Sequence, residues 1–98
     1  MDDLFKTSLE FEWDRGNGEK NWNLHKVKNK EAEEIFKDLI AIISLDTKHL
    51  KVELRWLLLG KTKSNRKLTV AFTKRNAKIR VISARDMNKK ERKLYENQ

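Results

Sequence analysis

Residues 68–85, LTVAFTKRNAKIRVISAR, decide the fold of this chain. Polar and apolar residues alternate through both halves of the stretch, as they do in strands that have one buried face. The triplet Arg75-Asn76-Ala77 between the two halves suits a tight turn. We therefore predict a β-hairpin with strands at Leu68–Lys74 and Lys78–Arg85.

The segments on either side of this hairpin extend the pattern. Ile40–Leu45 is short and rich in β-branched residues, and Val52–Gly60 follows it, so we predict a strand in each. After the hairpin, Asn88 and Glu91 have the spacing of a capping box, which predicts a helix over Lys89–Glu96. The second half of the chain is therefore predicted to be a mostly antiparallel sheet followed by a helix.

The first forty residues have a different pattern. Ser8–Trp13 alternates and predicts a short strand, whereas Glu19–Lys26 predicts a helix that carries Trp22, which we expect in the core. Lys30–Leu39 predicts a second helix. Its apolar residues at helical spacing are Ala32, Ile35, Phe36 and Leu39. The predicted fold class is α+β, with a strand and two helices before the sheet, and residues 1–98 form one domain.

Alternation also assigns the two faces of the sheet. The face on which we expect helices to pack contains Leu54, Trp56, Val70, Phe72, Ile79 and Val81, with Ser83 on the same side. The opposite face contains Glu53, Arg55, Thr69, Thr73 and Arg80. This arrangement predicts an open sheet face with positive charge.

The charge is divided unevenly between the two halves of the chain. Residues 1–50 contain 8 Lys/Arg and 11 Asp/Glu, a net −3, whereas residues 51–98 contain 15 and 4, a net +11, which together give +8. A basic half of this density attracts polyanions such as nucleic acids. The alternative is a solvated surface that keeps the protein soluble.

The composition also argues against several kinds of site. The chain has no cysteine, which excludes disulfides and thiolate metal sites and makes the cytoplasm the expected compartment. No apolar run is long enough to cross a bilayer. The sequence has no glycine-rich phosphate loop and no pair of histidines at metal-binding spacing. We therefore expect neither a cofactor nor a metal, and no membrane association.

Two roles suit a positively charged sheet face, namely passive binding of nucleic acid and cleavage of RNA. Metal-free cleavage needs a base for the 2′-hydroxyl, an acid for the leaving 5′-oxygen and cations that stabilise the phosphorane. Arg55 and Arg80 suit the cationic role. Glu53, two residues from Arg55 on the same face, suits the base, although these two could instead form an ordinary surface ion pair.

The histidines and Tyr95 are weaker candidates. His49 lies in the turn before the strand and is either a proton-transfer group or an exposed turn residue. His25, near the end of the first helix, is expected to be structural. Tyr95 is expected to hold the last helix or to reach an RNA base. The candidate RNA contacts beyond the catalytic set are Arg85, Lys61 and Thr73.

A series of short motifs runs through residues 9–96. The first are Phe11-Glu12-Trp13-Asp14, Asn21 with His25 and Val27, and Ala32 with Phe36. The next are Asp46, His49, Glu53, Arg55, Trp56 and Gly60. The last are Ile79–Arg85, then Glu91, Arg92 and Tyr95. In order and spacing, this series resembles the BrnT family of toxins.

The resemblance implies a toxin of a type II toxin–antitoxin pair, similar in fold to RelE-type ribonucleases, that cleaves RNA and stops translation. The implied partner is a BrnA-like antitoxin with a ribbon-helix-helix region, and operator DNA is bound only through the complex. By position, the family's polar residues correspond to Glu53, Arg55, Arg80, Arg85, His49 and His25. The alternatives are a non-catalytic nucleic-acid-binding or regulatory protein, or an inactive homologue that keeps these residues for antitoxin binding.

Overall fold

Four antiparallel strands form one sheet in the computed structural model, which describes residues 9–47 and 53–98. In spatial order the strands are β1 (Ile42–Leu45), β2 (Trp56–Lys61), β3 (Lys67–Arg75) and β4 (Lys78–Asp86). The helices are α1 (Lys20–His25), α2 (Asn29–Glu34) and α3 (Lys89–Glu96). A π-helical turn (Arg15–Glu19) leads into α1, and a 3-10 turn (Ile35–Lys37) continues α2. The α+β prediction is confirmed, whereas the closer similarity to RelE-type ribonucleases stays a prediction.

The β3–β4 hairpin forms where the sequence predicted it. Arg75 pairs with Lys78, and the two residues between them, Asn76 and Ala77, have φ angles of 50° and 66°. Positive φ at both central residues is the geometry of the two-residue turn that matches the twist of a hairpin. Asparagine tolerates this conformation well, whereas alanine pays a steric cost for it.

A β-bulge in β4 changes which residues share a face. Ala71 pairs with Ser83, but the next residue, Phe72, pairs with Val81, so Ile82 is the extra residue. Ala84 consequently joins the buried face, where it is fully buried. Simple alternation had placed Ser83 with Val81, and this prediction is wrong because the bulge inverts the parity after Ile82.

The N-terminal segment covers the outer edge of β4. Of the predicted strand Ser8–Trp13, the described residues 9–13 form one parallel bridge, between Phe11 and Ile79. Farther along, Asn17 Nδ2 donates to the Val81 carbonyl (2.9 Å), and Asn21 Oδ1 accepts from the Ala84 amide (3.1 Å). Side chains thus satisfy backbone groups that an edge strand would otherwise leave unpaired.

The main core lies between this face of the sheet and the segments that pack on it. Its buried members are Val27, Ala32, Ile35, Phe36, Leu58, Leu68, Val70, Phe72, Ile79, Val81 and Ala84. Phe36 contacts Phe11 and Phe72 edge to face, at centroid distances of 5.1 and 5.0 Å. Gly60 lies directly beneath Ile35, because an added Cβ would come within 3.1 Å of the Ile35 carbonyl oxygen.

Three residues predicted to lie in this core are exposed instead. Leu39 is fully exposed because the chain leaves the helical path after Lys37. Leu54 is 54% exposed because β2 begins only at Trp56, and Trp22 is 44% exposed on α1. The predicted helix and strand patterns were thus longer than the elements that form.

Helix α3 packs on the opposite face of the sheet, which the sequence analysis expected to be open. Leu59, Met87 and Tyr95 form a second buried cluster there, with Ile42 beside them. The capping box of Asn88 and Glu91 is present as predicted. The prediction of an entirely open face is therefore wrong, because α3 covers the end of the sheet that carries Leu59.

Candidate functional site

Arg80 is held by two carboxylates from the N-terminal segment. Its Nη1 donates to Glu12 Oε1 (2.9 Å) and Asp14 Oδ2 (2.9 Å), and its Nη2 donates to Asp14 Oδ1 (3.2 Å). The Arg80 side chain is only 16% exposed. These hydrogen bonds, with Arg80 first among the causes, hold the pKa of Asp14 below its usual value. The guanidinium is therefore fixed in position.

Asp14 is itself anchored to the backbone. Its Oδ1 accepts from the amides of Gly16 (2.8 Å) and Asn17 (3.3 Å), and Asn17 Oδ1 accepts from the Asp14 amide (2.8 Å). This reciprocal cap starts the turn that leads into α1. Asp14 therefore joins the start of the helical segment to the guanidinium of Arg80.

Glu53 lies within the electrostatic range of both predicted phosphate-binding arginines. Its carboxylate accepts from Arg75 Nη2 (3.2 Å) and Nε (3.3 Å). The hydrogen bond from Arg75 lowers the pKa of Glu53 most, and Arg55 and Arg80 add smaller electrostatic contributions. Glu53 is thus close enough to Arg55 and Arg80 to be affected by their charge, and the shared catalytic role of the three residues stays a prediction. Arg75, the direct partner of Glu53, was not predicted from the sequence.

Thr73 lies beneath this group. It pairs with Arg80 across the β3–β4 ladder, and its hydroxyl donates to the Leu54 carbonyl at 2.6 Å. The side chain is almost fully buried. Thr73 therefore holds the segment that carries Arg55, whose carbonyl also accepts from the Asp46 amide (2.8 Å). Its predicted contact with RNA stays a prediction.

Arg85 lies farther along the same face. It pairs with Thr69, four residues from Thr73 and hence about 13 Å along β3. Its guanidinium forks onto Glu91, with Nη1···Oε1 and Nη2···Oε2 distances of 2.7 and 3.0 Å. Glu91 Oε1 also accepts from the Thr69 hydroxyl (2.8 Å) and the Asn88 amide (2.9 Å). Arg85 therefore anchors α3 to the sheet.

Lys61 lies still farther away. It pairs with Lys67, six residues from Thr73 and hence about 20 Å along β3. Its backbone amide donates to Asp38 Oδ2 (2.9 Å). The structure therefore does not bring Lys61 together with Arg55 and Arg80, and a contact of Lys61 with RNA would involve a different part of the chain.

The remaining candidates are His49, Tyr95 and His25, and each has a different outcome. His49 lies outside the described residues. Tyr95 is 3% exposed and donates its hydroxyl hydrogen bond to Asp38, so the suggestion that it reaches an RNA base is wrong. His25 is the last residue of α1, and its backbone carbonyl accepts from Arg66 Nη2 (3.0 Å). The role of its imidazole stays a prediction.

Arg66 is the second arginine that sequence reasoning missed. Its Nε and Nη2 donate to Asp86 (2.8 and 3.1 Å), and its Nη1 donates to the Lys26 carbonyl (2.8 Å). Nη1 also lies 3.3 Å from Glu31 Oε1. Arg66 therefore ties α1, α2 and β4 together. No local pattern marks it, because its partners lie 20 to 41 residues away.

Neither a metal site nor a membrane span is seen in the part of the chain that the structure describes. Within residues 9–47 and 53–98, no group of three or more histidine, aspartate or glutamate side chains is arranged to hold a metal ion. No helix in those ranges is long and apolar enough to cross a membrane.

The fold and the site together define a class of protein. Fixed guanidinium groups beside a carboxylate, on a small α+β domain with a basic second half, are suited to contact with RNA phosphates. A family model described as "Ribonuclease toxin, BrnT, of type II toxin-antitoxin system" matches residues 13–91. The chain belongs to this family. It is therefore a ribonuclease toxin of a type II system, which implies an RNA target and an antitoxin partner. No curated protein matches the chain.

The Arg85–Glu91 fork predicts how stability depends on pH. Arg85 is the largest cause of the low pKa of Glu91, which falls from 4.5 to about 2. A carboxyl whose pKa is depressed in the folded state stabilises the fold above the unfolded pKa, and loses this contribution as pH falls through the folded pKa. The stability difference between the wild type and Glu91→Gln should therefore be largest above about pH 5 and shrink towards pH 2.

Urea unfolding at a series of pH values measures this difference. Glu19→Gln is the control, because it removes an exposed i,i+4 ion pair with Arg15 that contributes little. A difference between wild type and Glu91→Gln that stays constant from pH 6 to pH 2 would contradict the proposed linkage.

Proposed function

We propose that this toxin is a metal-independent endoribonuclease that stops translation by cutting RNA in the cytoplasm. The observation that carries the proposal is the fixed position of Arg80, whose charge also acts on the Glu53 carboxylate. In such a site the protein supplies the charge stabilisation that a metal ion supplies elsewhere.

Arg80 has one edge of its guanidinium left for a substrate. The hydrogen bonds to Glu12 and Asp14 use both Nη1–H donors and one Nη2–H. The Nε–H and the other Nη2–H form the side-on fork, and no carboxylate among residues 9–47 and 53–98 accepts from Nε. A side-on fork matches two phosphoryl oxygens. We assign it to the scissile phosphate, with Arg55 as the second cation.

The reaction needs no group beyond the protein and the RNA. The 2′-oxygen attacks phosphorus as its proton passes to a base, and the P–O5′ bond breaks as the leaving oxygen takes a proton from an acid. The products are a 2′,3′-cyclic phosphate and a free 5′-hydroxyl. We assign the base to Glu53 or His49. The low pKa of Glu53 keeps it ionised, and hence able to accept a proton, but makes it a weak base.

We assign Arg85 and Lys61 to contacts with RNA away from the cut. Arg85 and Lys61 lie about 13 and 20 Å from the level of Thr73 along β3, so they would meet nucleotides that flank the cut. Arg85 can do so only with the part of its guanidinium that Glu91 does not use.

A specific observation favours the second candidate, a non-catalytic nucleic-acid-binding or regulatory protein or an inactive homologue. Glu53 and Arg80, which the proposal assigns to the scissile phosphate, are both engaged in ion pairs within the protein. A carboxylate bound by Arg75 could be a structural anchor rather than a base. This alternative predicts salt-sensitive RNA binding without cleavage.

Cleavage of RNA by the purified toxin in EDTA tests the proposal. We expect cleavage to persist in EDTA, and Arg80→Ala and Arg55→Ala each to reduce its rate by roughly 100-fold or more, because each removes a cation from the developing phosphorane. Lys37→Ala, which removes an exposed lysine from the first half of the chain, should leave the rate unchanged. Growth arrest on induced expression should follow the same order.

Two results would contradict the proposal. Growth arrest that persists undiminished in both arginine variants would count against this site. Salt-sensitive RNA binding with no cleavage, with or without added Mg²⁺, would favour the non-catalytic alternative.

The contact of Asp14 with Arg80 can be tested separately from the capping of the Arg15–Glu19 turn by Asp14. Asp14→Asn keeps a good N-cap residue, but it places an amide where Arg80 needs an acceptor. If Asp14 acts by holding Arg80, we expect Asp14→Asn to slow cleavage about 10- to 100-fold, as misplacement of a reacting group does. In an Arg80→Ala background the same change should have almost no further effect. Equal effects in both backgrounds would show that Asp14 acts through the fold alone.

We propose a BrnA-like antitoxin with a ribbon-helix-helix region as the partner, with operator DNA bound only by the complex. Support comes from the surface of α3, where Lys89, Lys90 and Lys93 are exposed beside Leu94, which is 59% exposed. Both carboxylates of this helix are already paired, Glu91 with Arg85 and Glu96 with Lys67. An acidic segment with apolar residues therefore complements this helix.

If the antitoxin covers the surface that binds RNA, which we call masking, the two should compete for the toxin. Hydrogen exchange in the complex should show protection of α3 and of the β3–β4 strands around Arg80, and RNA and antitoxin should exclude each other. Protection confined to residues 14–39, with RNA still binding to the complex, would contradict masking and would require an allosteric form of inhibition instead.

A further inference from the structure

An open groove of about 890 Å³ lies beside the candidate site. The turn Arg15–Glu19, α1 and the start of α2 form its walls. Its lining includes Trp13, Asp14, Trp22, Asn23, Val27 and Asn29. Of these residues, only Asp14 has a part in the proposed cleavage, through its hydrogen bonds with Arg80.

Two tryptophans give the groove flat apolar surfaces. Trp13 is fixed because its Nε1–H donates to Glu33 Oε2 at 2.6 Å. Trp22 is 44% exposed, and the Lys26 ammonium lies over one face of its ring, 5.0 Å from the centroid. A base would therefore stack on the opposite face or displace this lysine. A large aromatic side chain left half exposed on a short helix contributes little to the core, whereas it offers a surface on which a nucleobase can stack.

The groove is continuous with the Arg80 cluster. Asp14 lines the groove and also accepts two hydrogen bonds from Arg80. An ideal Cβ at Gly16, on the turn that borders the groove, would lie 3.8 Å from Arg80 Nη2. A nucleotide whose phosphate is bound by Arg80 would therefore have a neighbouring base within reach of the groove.

The charge of the lining favours a base over a phosphate. Among the residues that line the groove, Arg15 and Lys28 are balanced by Asp14 and Glu19, so the lining itself has no net charge, and Lys26 beside Trp22 is a nearby cation. The side-chain amides of Asn23 and Asn29 offer the paired donors and acceptors that read the edge of a base.

We propose that the groove binds a nucleobase of the RNA next to the phosphate held by Arg80, with Trp22 as the stacking surface. The inference rests on the proposed function and adds a specificity subsite to it. Stacking on Trp22 supplies affinity, and the asparagine amides supply a preference for the sequence beside the cut.

Binding of a short single-stranded RNA to the full chain tests this subsite. The probe carries 2′-O-methyl groups, which prevent cleavage, and a fluorescent label for anisotropy. We expect Trp22→Ala to weaken binding about 5- to 100-fold, which is the usual range for losing one stacked base, and Trp22→Phe to restore most of it. The salt dependence should be unchanged, because no phosphate contact is lost.

Leu24→Ala is the matched control. Leu24 is 64% exposed on the same helix but does not line the groove, so its removal should leave binding unchanged. Moving a single abasic nucleotide along the RNA should locate the stacked base, because at that position Trp22→Ala should have no further effect. Thermal unfolding of each variant checks that the fold is intact.

The outcomes separate this inference from the proposed function. If Arg80→Ala weakens binding and Trp22→Ala does not, the groove is not a base subsite, although the proposed phosphate site stands. If neither change weakens binding, both proposals fail. If Trp22→Ala weakens binding to the antitoxin but not to RNA, the groove binds a protein segment and the base subsite is wrong.

Discussion

The ion pair between Arg80 and Asp14 joins the first half of the chain to the sheet. It lies at the outer edge of β4, where Asn17 from the following turn also binds the Val81 carbonyl. An uncovered edge strand exposes a row of backbone donors and acceptors, so these contacts close the sheet while they position α1. The edge of the sheet, the proposed phosphate site and the groove therefore all depend on the position of Asp14.

Part of the positive charge of residues 51–98 is neutralised by ion pairs within the fold. Several arginines of the +11 half are bound by carboxylates, among them Arg66 by Asp86, Arg75 by Glu53 and Arg85 by Glu91. A paired guanidinium adds little to the long-range field, which is left largely to exposed lysines. What it gains is a fixed position, and catalysis depends on fixed position more than on the amount of charge.

The four strands of the sheet could be predicted to within a few residues because alternation is a local property of the sequence, whereas the strand predicted at Ser8–Trp13 gives only the bridge at Phe11. The bulge at Ile82 could not be predicted in this way, since it depends on how two strands pair, and it reverses the faces of Ser83 and Ala84. The prediction that Leu39 lies in the core was wrong for a similar reason. Its helical spacing was suitable, but the chain turns away after Lys37, so the residue never reaches the core.

The candidate site could be predicted only in part, because alternation specifies a face but not a partner. Glu53 and Arg80 follow from strand parity, yet the state of each depends on a partner that is remote in sequence. Asp14 is 66 residues from Arg80, and Arg75 is 22 residues from Glu53. Arg85 reaches this face only because of the bulge at Ile82. It is bound there by Glu91, because α3 folds back over that end of the sheet. A homologue could therefore keep every signature arginine and still lose activity through the carboxylate that holds one of them.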